Sequence, residues 1–233
     1  MNIILCGAGA FALEIEQYIL DCKRAGSGIY DDVGRPANES ATLWGAVFTG
    51  NGRLSEFQTP NVRHCEPGKA EPEDAHYLIA IGDAVVRRRV WGELQAMSAH
   101  FATIIHPTSS IAQSVRIGRG VILCPFTFAG PLSVLGNNTA FNTYASVGHD
   151  SVVGDHCVFS PYACVNGAAK LGEACFLGSS VVVTPRKTIG AYSKVSAGSI
   201  VFSDARPGSL LIGNPAKGRQ LFPVPSDARE ATA

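Results

Sequence analysis

What the chain lacks narrows the field first. It has no excess of either charge, 19 Lys and Arg against 19 Asp and Glu, so its bulk electrostatics give no reason to expect nucleic acid or an anionic membrane as partner. No apolar run is long enough to cross a bilayer, and the opening MNIILCGAG carries no basic segment before it reaches a glycine turn. Neither a secretory leader nor a membrane span is therefore expected. The seven cysteines (Cys6, Cys22, Cys65, Cys124, Cys157, Cys164 and Cys175) are odd in number, scattered, and without a C-x-x-C pair. That pattern argues against a disulfide framework and against a thiolate metal site. These bulk properties agree with a soluble cytoplasmic enzyme, and 233 residues are long enough for one large or two modest domains.

What is present is a repeat. From Ile111 to Arg206 the chain divides, with no insertion or deletion, into sixteen six-residue units whose first position is almost always aliphatic, as in Ile117, Val147, Val165 and Leu177. Eight of the second positions are glycine, and the fifth positions are small or β-branched everywhere except Lys187. This is the signature of a parallel β-helix. Each hexad makes one flat face, a short strand and then a turn that glycine or another small residue allows. Three hexads close a coil, so this segment supplies roughly five coils around one core. Cys157 and Cys175 fall on fifth positions and read as buried packing residues.

The sequence ahead of the repeat differs. Asn2 to Cys6 is a short apolar run, Gly7 to Ala12 a glycine turn, and Leu13, Ile15, Ile19 and Leu20 mark an amphipathic helix. Ile29-Tyr30 then leads into Asp31-Asp32; a polar, irregular segment runs from Gly34 to about Ala75; and Tyr77 to Ile81 ends in Gly82-Asp83 before a helix from Ala84 to Met97. This predicts a small parallel α/β domain over residues 1–103, Rossmann-like but half-sized, a β-helix over 104–219, and a loosely ordered tail over 220–233. The turn fits G-x-G-x-x-G/A, which lets backbone approach a phosphate at a helix amino terminus. A dinucleotide fold needs two such halves. A single nucleotide diphosphate fits the available length better, held by the turn from Gly7 through Gly9 and Ala10 to Phe11, by Asp31 and Asp32, and by Gly82 and Asp83. A turn that merely connects strand to helix is the alternative.

These two halves in this order resemble the bacterial sugar O-acyltransferase group of hexapeptide-repeat proteins. That group includes acetyl-CoA-dependent N-acetyltransferases of nucleotide-linked 4-amino sugars, of the kind used in surface polysaccharide biosynthesis, and sialic acid O-acetyltransferases. The resemblance covers residues 1 to about 219 and is carried by Gly7-Ala8-Gly9-Ala10-Phe11, Tyr30-Asp31-Asp32, Ala80-Ile81-Gly82-Asp83 with Arg87, Ile105-His106-Pro107, Val147-Gly148-His149-Asp150 and Gly213-Asn214-Pro215-Ala216-Lys217. It implies a homotrimer of left-handed β-helices with acetyl-CoA lying between neighbours, along Gly167, Ser179 and Ala197, and a nucleotide sugar held by the amino-terminal domain, with Arg87 among its contacts.

His149 stands at the third position of its hexad, off the inward-pointing first position, and Asp150 follows it. An outward imidazole beside a carboxylate can take a proton from a nucleophile while the acid orients it. The resemblance makes this pair the general base and its orienting acid, and makes the Gly167 amide the donor to the oxyanion. His156 reads as a solvated turn residue and His106 as a packing or capping one. No three histidines sit at a telling spacing, so no metal is expected. Two positions depart from the N-acetyltransferase pattern, in which the first glycine turn often carries a histidine: here it is Phe11, a form closer to the sialic acid O-acetyltransferases, and Val158 stands where some members have a second histidine. An amine acceptor is favoured by the nucleotide-type turn and the paired aspartates. Sugar O-acetylation and a non-catalytic trimeric nucleotide-sugar scaffold stay open.

Overall fold

The computed structural model describes residues 1–7, 10–32, 34–36, 42–46, 63–64 and 74–228, with 42–46 and 63–64 as backbone only. The amino-terminal unit runs β1 (Asn2–Cys6), α1 (Ala10–Ala25), β2 (Ile29–Tyr30), β3 (Thr42–Ala46), β4 (Arg63–His64), β5 (Ala75–Ile79), α2 (Ala84–Ala96) and β6 (His100–Phe101). Its sheet is parallel throughout, in the order β4-β3-β1-β5-β6. Two of these strands lie inside the stretch expected to be irregular. Ile3 and Leu5 on one face pack against Ile15 and Ile19 of α1, and Ile4 and Cys6 on the other against Val90 and Leu94 of α2. The alternation along β1 is thus that of a strand covered on both sides. No helix among the described residues is long and apolar enough to cross a membrane.

β2 corrects the expectation of a wholly parallel arrangement. Ile29 and Tyr30 do not join that sheet but pair antiparallel with Ile104 and Thr103 of β7 (Thr103–Ile105), the first strand of the solenoid. The boundary placed between residues 103 and 104 therefore falls inside a strand. The repeat continues one strand ahead of Ile111 and, through Ser209–Gly213, one beyond Arg206, which gives about six turns instead of five.

The solenoid has three faces, numbered in chain order from the one that begins with β7, and in each the short strands stack in parallel, mostly 18 residues apart. First positions such as Val147, Val165, Leu177 and Val183 are fully buried, and the core includes the stacked pair Phe141 and Phe159, with ring centroids 4.3 Å apart. Each such aliphatic side chain contributes roughly 1.5–3 kcal/mol by leaving water. Fifth positions lie at the corners, where Ala145, Ser151, Cys157 and Ala163 have no exposed surface.

The glycines have a different task from the one expected. A methyl group on any of the eight second-position glycines would come within 2.3–2.7 Å of the chain one coil further on, for instance 2.6 Å from Gly167 N at Gly148 and 2.7 Å from His149 N at Gly130. They give clearance between stacked coils. The left-handed conformation falls at the fourth position, where Phe126, Asn138, Tyr144, Asp150, His156 and Tyr192 hold φ between 52° and 64°. For a residue with a side chain this costs about 1–2 kcal/mol. It is offset because the same residue's amide donates to the coil before, as from Asp150 N to Pro131 O at 3.0 Å and from Ala168 N to His149 O at 2.8 Å.

Contacts hold the end of the solenoid and, within the stretch from residue 220 expected to be loosely ordered, Asp227. Ala216–Gln220 pairs antiparallel with Ser209–Gly213, and Asp227 accepts from Arg88 of α2 at 2.7 Å, while Arg88 also reaches the buried Glu173 at 3.2 Å. Residues 229–233 lie outside the described residues. The six described cysteines are free thiols, with Cys157 and Cys175 fully buried as expected.

Candidate functional site

His149 projects from the corner between the second and third faces, with its side chain 67% exposed. Its Nδ1 lies 2.7 Å from Asp150 Oδ2. A carboxylate can only accept, so Nδ1 carries the hydrogen and Nε2 keeps a free lone pair. The left-handed backbone at Asp150, φ 58°, turns its carboxylate back toward the imidazole. One coil later, at the same third position, is Gly167. A methyl group there would lie 2.5 Å from His149 Nε2 and 2.8 Å from Cε1. The ring therefore occupies the space that a side chain at Gly167 would take, and its basic nitrogen faces the Gly167 backbone. Among the described residues no acceptor takes the Gly167 amide hydrogen.

The two glycine turns come together at the carboxyl-terminal edge of the amino-terminal sheet, where open α/β sheets bind ligands. Cys6 and Ile79 are paired neighbours, and Gly7, at φ +142°, passes so close to the next turn that a methyl group would meet Ala80 O at 2.5 Å. Ala10 opens α1, and Gly9 lies outside the described residues. Phe11, Glu14 and Gly82 face Asn142, Val158 and Ser160 of the solenoid across a cavity of about 180 Å³. Asp83 caps α2, its carboxylate accepting from Val85 N at 2.9 Å and Val86 N at 3.0 Å, and its second oxygen lies 3.5 Å from Lys194 Nζ.

Four side chains stand elsewhere than expected. Arg87 has no exposed surface. Its guanidinium donates to the carbonyls of Ile79, Ile81 and Asn138 and to Asn138 Oδ1 at 2.8 Å, fastening α2 to the solenoid, and burial pulls its pKa down to about 9. A group so enclosed has nothing to offer a substrate. Asp31 and Asp32 are separated from the glycine turns by the length of the sheet, because β2 runs along the solenoid. Asp31 accepts from Arg35 N at 2.8 Å and Nε at 2.7 Å, while Asp32 lies 2.6 Å from His100 Nδ1. His156, expected in solvent, is buried at the domain junction, edge-on to Trp91 and accepting at Nδ1 from Asn138 Nδ2 at 3.0 Å. His106 caps its turn as expected, with Nδ1 3.2 Å from Thr108 N.

Ser179 and Ala197 are exposed and lie 18 residues apart on the corner between the first and second faces, not on the corner of His149. Earlier coils fill that corner with an exposed ladder of Phe126, Tyr144 and Tyr162, whose centroids are 4.9 and 4.8 Å apart. Sequence reading missed this ladder, although aromatic residues 18 apart in a hexad frame are a visible signal. The second face, with Phe128 half-exposed on it, separates the ladder from His149.

No family model matches the chain, and no curated protein sequence matches it. Solved structures do. A histidine-to-asparagine variant of perosamine N-acetyltransferase from Caulobacter crescentus, in complex with CoA and GDP-perosamine, is similar at 24% identity and TM-score 0.76, covering 94% of this chain and 97% of that one. The acetyltransferase domain of PglB from Neisseria gonorrhoeae is similar at 20% identity and TM-score 0.76 over 93% of this chain and 98% of its own. WeeI from Acinetobacter baumannii is similar at 23% and 0.76, over 94% of this chain and 100% of its own. The chain thus has the fold of the hexapeptide-repeat sugar acetyltransferases, a small parallel sheet followed by a left-handed β-helix.

Proposed function

We propose that this protein is an acyltransferase that moves the acetyl group of acetyl-CoA to the amino group of a nucleotide-linked 4-amino-deoxy sugar, with His149 as general base. The observation that carries the reading is the free Nε2 of His149, oriented by Asp150 and resting over the bare backbone of Gly167. The amine nitrogen attacks the thioester carbonyl as His149 Nε2 takes its proton, and a tetrahedral oxyanion forms within reach of the Gly167 amide. Collapse breaks the carbon–sulfur bond, and the proton passes from His149 to the departing thiolate. Asp150 keeps the imidazole in the required tautomer and stabilises its charged form.

The remaining parts fit the same scheme. Phosphates of the nucleotide would meet the turn from Gly7 to Phe11 and the amide end of α1, and the cavity between Phe11, Gly82 and Asn142 suits part of a sugar. Within one chain, His149 and the pair Ser179 and Ala197 stand on different corners. A site that uses both would draw them from neighbouring copies, which supports a homotrimer with acetyl-CoA between subunits. The likeness to an enzyme solved with CoA and GDP-perosamine supports an amino-sugar acceptor; Phe11 in the glycine turn is the observation on the side of O-acetylation. Mixing the protein with acetyl-CoA and a panel of UDP-, GDP- and dTDP-linked 4-amino and 4-hydroxy sugars, and following free thiol, tests the proposal. Turnover is expected with amino sugars. Turnover restricted to hydroxyl acceptors overturns the N-acetylation reading, and none with any acceptor leaves the scaffold reading.

Gly167 offers a second check. Because His149 is exposed, Gly167→Ala pushes the ring aside at little cost to the fold, under about 0.5 kcal/mol. Displacing the base by an ångström or so is expected to lower kcat by about 10²-fold. Thermal unfolding and thiol-release kinetics on the same preparation measure both quantities, and an unchanged kcat would contradict the placement of the ring.

A further inference from the structure

At the edge of the amino-terminal sheet opposite the glycine turns, three side chains from distant parts of the sequence meet. His76 of β5 and His100 of β6 are direct partners in parallel pairing, so both imidazoles rise from the same face, with ring centroids 5.4 Å apart. Asp32, which follows β2, closes the group, and one ligand atom from each of the three lies within 4.8 Å of the others. We propose that Asp32, His76 and His100 form a binding site for a divalent cation of the zinc class.

The chemistry of the donors favours such an ion. His76 is buried, and its Nδ1 lies 3.2 Å from the carbonyl of Asp74. A carbonyl only accepts, so Nδ1 holds the hydrogen and Nε2 presents its lone pair. A backbone carbonyl fixing the far nitrogen is how metal-ligating histidines are held. His100 Nδ1 donates its hydrogen to Asp32 Oδ2 across 2.6 Å. A cation takes the place of that proton and draws a bond from each partner. Ligands on zinc at about 2.0–2.1 Å stand roughly 3.4 Å apart in a tetrahedron. The widest pair here therefore closes by roughly 1.4 Å at most, and the His100 side chain, 63% exposed, has room to do so. Two imidazoles and a carboxylate suit zinc and its neighbours better than magnesium or calcium.

The surroundings agree. The group opens into a polar cavity of about 490 Å³ that gathers Asp31, Asp32 and Asp74 against Arg35 and the Met1 ammonium, three carboxylates to two fixed cations. The excess negative charge attracts a cation. Bound there, the ion links β2, which belongs to the solenoid sheet, to β5 and β6 of the amino-terminal sheet. It acts as a clamp between the two units, away from His149, and it assigns Asp32 to a metal and not to a nucleotide.

Untagged protein, stripped with chelator, is titrated with zinc against a chromophoric competitor and with cobalt followed by visible absorption. One ion per chain is expected, with cobalt bands of nitrogen and oxygen ligation and without thiolate charge transfer. His76→Ala and His100→Ala should each weaken binding by at least about 10-fold. Zinc at a concentration that saturates the wild type should raise its Tm and raise that of His100→Ala by less, since a native-state site stabilises the fold by mass action in proportion to its affinity. The exposed His100 makes this variant the one whose folding is not in question. Binding that survives in a protein carrying both His76→Ala and His100→Ala, cobalt bands of thiolate ligation, or a wild type that takes up no ion overturns the site.

Discussion

Replacing His149 with alanine is expected to lower acetyl transfer by about 10²–10⁴-fold, with melting temperature and nucleotide-sugar affinity nearly unchanged. The side chain is exposed and, among the described residues, its only polar partner is the adjacent Asp150, so its removal leaves no cavity and no buried group unpaired. What is lost is the lone pair at Nε2, and with it the acceptor for the amine proton. Asp150→Asn should cost less than the alanine variant at His149, because an amide can still orient the ring while failing to stabilise its charge. Thiol release under saturating acetyl-CoA, with Kd for the sugar measured separately, tells loss of chemistry from loss of binding. A His149→Ala protein that turns over at a near-normal rate would falsify the mechanism.

Arg87→Ala is expected to be strongly destabilising, by about 3 kcal/mol or more. The guanidinium is fully enclosed, faces no carboxylate among the described residues, and is held by the carbonyls of Ile79, Ile81 and Asn138 and the Asn138 amide oxygen. Truncation leaves those acceptors buried and unpaired, each at about 1–3 kcal/mol, and opens a void beside Trp91 and His156 at the same junction. Arg87→Lys should recover only part of the loss, because a point charge cannot reach four acceptors set out for a planar fork. The solenoid has its own core. Calorimetry should therefore resolve two transitions in the alanine variant, the amino-terminal unit melting first. A single transition at the wild-type temperature would remove Arg87 from this role.

How much of this was legible in the sequence depended on the range of the interaction. The hexads could be read because each first position meets its equivalent 18 residues away, so the stack is written into the period itself. His149 was legible for the same reason: third positions project outward, and the partner that orients it is its own neighbour. The glycines were legible in position but not in purpose, since clearance between coils appears only once the coils are stacked. Asp83 is a helix cap and Arg87 a buried fastener; their spacing after Gly82 is equally compatible with a binding loop, and burial alone separates the two. β2 could not be placed at all, because two residues of strand fit either sheet.

The sequence by itself determined the β-helix, its register and the outward histidine with its carboxylate, because a short repeat makes tertiary contacts periodic in the chain. Only the tertiary structure decided which side chains from unrelated segments meet. It set Gly167 beneath the imidazole, buried Arg87 and His156 at the junction, parted Asp31 and Asp32 from the glycine turns, and brought Asp32 to His76 and His100. Those encounters follow from strand order and crossover, set by the packing of whole faces against one another, and no local spacing records them.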